Sequence, residues 1–204
     1  MSRTKQQDHG FEFFPTERAV VHALLECPEL ELSGGIWIDP CAGSGRIIEA
    51  TRERRDDVSW FVCELDPRFD GMLSRVLDAE RDHQEPYQDF VSAPWNLPRA
   101  KVAIFNPPFS HTTDFVEAAM ERAETVICLQ RQAWFGSQKR AGWLREHCPD
   151  TYDLPWRPSF RPDGKTDNCE YSWYVWPNGE FNRRSGRRMM LDAPDNRQRE
   201  IFGE

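Results

Sequence analysis

No apolar run in this chain approaches the ~20 residues that a membrane-spanning helix requires, and residues 1–10 are polar, unlike a secretory core. No membrane association is therefore predicted, and the expected compartment is the cytoplasm. No C-x-x-C pair occurs among the six cysteines, Cys27, Cys41, Cys63, Cys128, Cys148 and Cys169. That scatter predicts neither a disulfide framework nor a zinc site. Cys41, Cys63 and Cys128 fall in strand-like contexts, where a free thiol behaves as a small buried hydrophobe. The five histidines are equally dispersed, so no metal is assigned. An excess of positive charge is missing too, the formal net charge being -8. This excludes a general nucleic-acid coat protein but not an enzyme acting on nucleic acid, because phosphate contacts need only a local basic surface. No internal repeat is present.

What is present fits one α/β domain with a single sizeable core. Residues 1–12 read as a disordered lead-in, residues 13–177 as the folded domain, and residues 178–204 as a polar, Arg-rich tail. Thr16 is a good N-cap for a helix over residues 17–27, where Ala19, Val20, Ala23, Leu24 and Cys27 make an apolar stripe. A strand over 36–39, a helix over 46–54 and a strand over 60–64 follow. Residues 67–80 show the cleanest amphipathic pattern, with Phe69, Met72, Leu73, Val76 and Leu77 at helical spacing. A weak strand is predicted at 87–91 and a stronger one at 101–106. Next come a helix at 114–123, with Asp114 and Glu117 as an Asp variant of the capping box, a strand at 125–130 and a helix at 136–147. Phe160 and residues 171–176, separated by the turn formers Pro162-Asp163-Gly164, read as an antiparallel pair. The alternation implies a Rossmann-like, doubly wound, mostly parallel sheet with right-handed crossovers and the late antiparallel hairpin on one edge. Basic residues gather late, at Arg131, Lys139, Arg140 and Arg145, at Arg157, Arg161 and Lys165, and at Arg183, Arg184, Arg187 and Arg188. Each fits a solvated surface, and their concentration favours a polyanionic partner.

Ligands bind at the carboxyl ends of strands in doubly wound sheets. Asp39-Pro40-Cys41-Ala42-Gly43-Ser44-Gly45 lies at such a point, and its glycines allow close backbone approach to a ligand. The dinucleotide fingerprint fails, because its third glycine is replaced by Ile48. What remains is Asp-x-x-x-Gly-x-Gly followed, about twenty residues on, by the acidic strand end Glu64, the distance at which a carboxylate meets ribose hydroxyls.

The second motif is Ile104-Phe105-Asn106-Pro107-Pro108-Phe109, an apolar strand ending in Asn-Pro-Pro-Phe. Two prolines fix φ and remove two backbone donors, which leaves a rigid loop with a carbonyl acceptor at Pro107 and a side-chain carbonyl at Asn106. Two acceptors around one planar amine take both of its hydrogens and turn its lone pair towards an electrophile. Catalysis of that kind is positioning plus electrostatics. Strand termination alone would explain the prolines but not Asn106 and Phe109 on either side of them.

Together these residues resemble the class I S-adenosylmethionine-dependent DNA methyltransferases that modify exocyclic amines, and among them the small phage- and prophage-type adenine-N6 enzymes. The likeness covers residues 13–177. It implies S-adenosyl-L-methionine as cofactor, DNA as substrate and, for a phage-encoded chain, the host cytoplasm. In that family the Gly-rich loop, here Asp39, Cys41, Gly43 and Gly45, holds the methionine part of the cofactor. Glu64 matches the ribose-binding acid, and Asp89-Phe90 matches the pair that contacts the cofactor's adenine. Phe14-Pro15-Thr16 resembles the amino-terminal cofactor segment, which gives Thr16 a carboxylate-binding role compatible with an N-cap. Asn106, Pro107 and Pro108 would bind the N6 group, and Phe109 would stack on an extruded base. Residues 130–140, with Arg131 and Lys139, resemble the segment after the fifth strand and are expected at the substrate. Phe160, from the late hairpin, is expected to pack against the target base, while Trp173 and Trp176 are expected in the core.

Larger family members carry a separate target-recognition domain that residues 178–204 do not match. Selectivity is therefore expected to be short, loop-borne or supplied by a partner. Carbon-5 methylation of cytosine is disfavoured, because it needs a Cys nucleophile and none lies between Lys101 and Met120. Cytosine-N4 methylation, more often with Ser at position 106, stays open. So does N-methylation of RNA or of a protein glutamine, the latter usually with Tyr at position 109. A degenerate cofactor-binding accessory subunit is the non-enzymatic alternative.

Overall fold

Short apolar runs alternate with amphipathic ones through most of this chain, and runs apolar on both faces become strands covered on both sides. In the computed structural model, which describes residues 14–86, 89–94, 96, 99–160, 168–177 and 186–193, α1 (Arg18–Leu25) precedes β1 (Gly35–Asp39), α2 (Arg46–Arg52) and β2 (Val58–Glu64). A 3-10 turn at Pro67–Phe69 leads into α3 (Asp70–Val76) and then β3 (His83–Pro86). β4 (Ala100–Phe105), α4 (Thr112–Arg122) and β5 (Ala123–Arg131) follow. Two more 3-10 turns, Gln132–Trp134 and Gln138–Arg140, run into α5 (Ala141–Glu146). β6 (Asp150–Asp153), β7 (Tyr171–Trp176) and β8 (Arg188–Met190) come last.

These strands join one sheet in the order β3-β2-β1-β4-β5-β7-β6-β8. The first five positions are parallel, β7 is antiparallel to both β5 and β6, and β8 is parallel to β6. This is the doubly wound, mostly parallel α/β architecture. Strand order reverses between β1 and β4, so the carboxyl ends of these two strands flank the crevice where such sheets bind ligands. The pleat divides the core into two layers. Trp37 joins Val20, Leu24, Ile48 and Trp60 on one face, whereas Ile38 joins Phe61, Phe105, Val116 and Met120 on the other. The Trp173 indole N–H donates to the Val20 carbonyl at 3.0 Å and ties α1 to β7.

Several elements differ from the sequence reading. α1 has Glu17, not Thr16, at its N-cap; the Glu17 carboxylate accepts the Ser159 N–H instead of capping the helix. The third strand is His83–Pro86, not 87–91, because polar residues suffice where an edge strand pairs only with β2. Residues 87–88 lie outside the described residues, and Phe90 enters the core off the sheet. The helices predicted at 67–80 and 136–147 are shorter, each entered through a 3-10 turn. α4 starts at Thr112, so Asp114 sits in its first turn instead of capping it. The antiparallel partner of β7 is β6 together with β5; Phe160 pairs with neither, and the predicted turn 162–164 lies outside the described residues. The hairpin is not at the edge, since β8, from the segment read as a tail, lies beyond it. Among the described residues no helix is long and apolar enough to cross a membrane.

Candidate active site

After β1 the backbone must turn sharply beneath a ligand-sized space. Asp39 fastens the start of that turn by accepting the Cys41 N–H at 3.2 Å. Gly43 (φ +52°) and Gly45 (φ +80°) take left-handed conformations that a side chain would strain. Gly45 caps α2, and a Cβ there would stand 3.3 Å from Val76 on α3. It shapes the turn and lets α3 approach, while Gly43 lines the cleft itself. The Gly43 N–H donates to Glu64 Oε2 at 2.6 Å, and Glu64 Oε1 accepts the Asp66 N–H at 2.8 Å. Glu64 thus bridges the loops that follow β1 and β2.

Among the described residues neither acid has a cation beside it, Asp39 being buried and Glu64 partly buried. Asp39 is 1 % exposed. Burial pushes its carboxyl up to about 8, against the Cys41 N–H bond and with help from the nearby Glu64 charge. Burial raises Glu64 as well, opposed by the N–H groups of Asp66 and Gly43. Cys41, beside them, is raised by burial and by both acids, so its thiol is inert at neutral pH. Asp66 differs, because Arg68 closes on its carboxylate.

The cleft opens to solvent and spans about 760 Å³ with its mouth included. It runs from Asp39, Cys41, Gly43 and Glu64 to Phe14, Thr16, Asn106 and Pro108. Asn106 Nδ2 donates to the Phe14 carbonyl at 2.9 Å and to the Thr16 hydroxyl at 3.2 Å. Its Oδ1 is buried and has no hydrogen-bond partner among the described residues. A buried acceptor left unmade is costly, so Oδ1 is suited to a donor from a ligand. Among the described residues no backbone N–H donates to the buried Pro107 carbonyl either. The loop is pinned beyond the prolines: Pro108 O accepts the His111 N–H at 3.0 Å, and Phe109 O accepts the Thr112 hydroxyl at 3.3 Å. The buried Gln130 amide donates to that same Thr112 oxygen.

Phe109 is already engaged. Its ring lies 4.8 Å from that of Phe14, and the Arg131 guanidinium stands 4.2 Å over it. Arg131 also donates to the Tyr171 hydroxyl at 3.1 Å. Phe160 is buried against Tyr171 and Phe14, behind the cleft wall. Asp89 and Phe90 are not brought to the cleft: Asp89 is exposed and accepts from Val91 and Ser92, while Phe90 is held between Phe115 and the Arg122 guanidinium. Lys139 is exposed in a 3-10 turn. The sequence reading missed Arg46, Leu65, Asp66, Phe69 and Phe115, all of which line the cleft. Asp66 before Pro67 signals only a turn cap, a role it does fill for Arg68, and the apolar three look like ordinary core.

A doubly wound sheet that inserts a reversed seventh strand between the fifth and sixth, with an acid-floored cleft at its switch point, has the fold of the class I methyltransferases. No family model and no curated protein matches the sequence, so this likeness is one of structure. A protein of Listeria monocytogenes described as a class I S-adenosylmethionine-dependent methyltransferase superposes with a TM-score of 0.61 at 14% identity, over 96% of this chain and 72% of that one. The 23S rRNA methyltransferase ErmE gives 0.57 at 15%, over 82% and 70%. The precorrin-6y C5,15-methyltransferase of Geobacter metallireducens gives 0.55 at 14%, over 81% and 94%. At such identities the fold is shared, and the substrates named for ErmE and the precorrin enzyme differ.

Proposed function

We propose that this chain transfers a methyl group from S-adenosylmethionine to the exocyclic N6 amine of adenine in DNA. The observation that carries the reading is the buried, unpartnered Asn106 Oδ1 at the end of β4, within the cleft that Asp39 and Glu64 floor. An acceptor fixed in that place suits a target that brings N–H hydrogens.

The residues present fit the cofactor. One buried and one partly buried carboxylate, with no cation beside them among the described residues, suit a positively charged ligand, with Glu64 assigned to its ribose and Asp39 and the Gly43 backbone to its methionine end. Leu65, Phe69 and Phe115 offer apolar surface for its base. Bound there, the cofactor supplies an electrophilic methyl sulfonium, so no covalent enzyme intermediate is needed. The chain's own part is placement. Asn106 Oδ1 and the Pro107 carbonyl take the two amine hydrogens, which draws the nitrogen lone pair out of ring conjugation. Phe109 is the face on which the base stacks, in the place that the Arg131 guanidinium now holds. Lys139 and Arg131 face the phosphate backbone in this reading, and Phe160 supports Phe14 from behind.

ErmE, by its name, acts on rRNA, and RNA is the second substrate class to be weighed. Nucleoside analysis by mass spectrometry of DNA and RNA, from an expressing host that has no adenine methylation of its own, decides between them. N6-methyladenine in DNA is the expected result. N4-methylcytosine, or methylation confined to RNA, would replace this reading. Asn106→Ala should lower transfer at least about a hundredfold while calorimetric binding of the cofactor persists; unchanged turnover removes Asn106 from the mechanism.

A further inference from the structure

The orientation of the Asn106 carboxamide is not left to the substrate. Nδ2 carries two hydrogens and meets two acceptors, the Phe14 carbonyl and the Thr16 hydroxyl oxygen. Turning the group by 180° would set Oδ1 against both oxygens, and the backbone carbonyl has no proton to offer it. Oδ1 is then the one end left open. We propose that the Phe14 carbonyl and Thr16 hydroxyl are a positioning pair that fixes Asn106 as an acceptor only, so that the site takes a target presenting N–H hydrogens and rejects one presenting a lone pair. The statement about the target rests on the methyl-transfer reading; the statement about the amide does not.

Three features make the pair more than a loop contact. Thr16 is buried and lines the same cleft as Asp39, so the side chain that borders the cofactor region also sets the acceptor for the target. Phe14 is itself held, its ring stacked on Phe109 and edge-on to Phe160, which keeps its carbonyl in place. The arrangement also demands Asn over Asp, since a carboxylate at position 106 would press an anionic oxygen against the Phe14 carbonyl.

The test uses the full chain labelled with nitrogen-15, the Asn106 side-chain amide signals being identified by their loss in Asn106→Ala. In the unaltered chain both Nδ2 hydrogens should exchange slowly with water. Thr16→Val keeps the shape and removes the acceptor. It should speed exchange of one hydrogen at least about tenfold and lower kcat on adenine-containing DNA about tenfold, the loss of one hydrogen bond. Thr16→Ser should restore both readouts. Unchanged exchange in Thr16→Val, or a loss that Thr16→Ser does not restore, overturns the positioning pair. A chain that methylates no nucleic acid overturns the methyl-transfer reading instead, and amide exchange still decides the orientation of Asn106.

Discussion

Among the described residues, Asp39 and Glu64, beside the cleft, are held by backbone N–H groups, whereas Asp150 and Asp153, buried on β6, are each closed by an arginine. Arg187 gives Asp150 its backbone N–H at 2.8 Å and its guanidinium at 2.8 and 3.1 Å. Asp153 accepts from Arg188, from the Ser172 hydroxyl at 2.6 Å and from the Gln132 amide at 3.1 Å. Partner carboxylates raise both arginines and so favour their charged form, whereas burial raises Asp39 and so disfavours its charged form. One acid pair is complete within the chain and serves to fasten β8. The other is left with a deficit of positive charge, which is what a cationic ligand relieves.

That contrast breaks most easily at Asp39. Asp39→Asn keeps the Cys41 contact but cannot ionise, and cofactor affinity by calorimetry should fall at least about tenfold, since a charge-assisted contact is worth ~1.5–3 kcal/mol. Wild-type affinity would remove Asp39 from the site. Next in size is Asp153→Ala, which strips the acceptor from the buried Ser172 hydroxyl. A loss of about 2 kcal/mol, seen as a fall in Tm of about 4–8 °C, is expected with cofactor affinity unchanged. The third test is pH. Asp39 has a folded value near 8 against 3.8 for the free group, so its contribution to stability is full below 3.8 and is lost as pH rises through 8. Without ligand, Asp39→Asn should therefore gain stability over the wild type as pH rises towards 8, measured by thermal melts across that window. Cofactor affinity should rise over the same interval, with proton release visible as a buffer-dependent binding enthalpy. The smallest effect belongs to Arg188→Ala. Its side chain is mostly solvated, and the buried Asp153 keeps its bonds from Ser172 and Gln132, so losing this one contact, about 1 kcal/mol, should move Tm by about 2–4 °C.

The sequence was most legible where burial and composition agree. β1, β2, β4, β5 and β7 are apolar runs, and each lies close to where the pattern puts it. β6 was hidden because half of it is acidic: Asp150 and Asp153 look like solvent residues until Arg187 and Arg188 are seen to cover them. β3 was missed for a related reason, since an edge strand has no need of a continuous apolar run. In the cleft, Asp39, Gly43, Glu64 and Asn106 carry signals tied to strand ends and tight turns, and the structure brings them together. Asp89-Phe90 had only a short pair to recommend it, and Phe115 and Arg122 claim that ring for the core. Thr16 carried a helix-start signal, but what engages its hydroxyl comes from ninety residues further along the chain, a relation that local pattern does not encode.

β7 fills the slot between β5 and β6 although it is made after both. During synthesis, therefore, β1 to β4 find all their neighbours early, while Val126, Ile127, Cys128 and Leu129 of β5 wait with one flank bare until Tyr171–Trp176 leaves the ribosome. The nascent chain completes the crevice between β1 and β4 first, and this apolar flank is then the stretch most exposed to pairing with another growing chain.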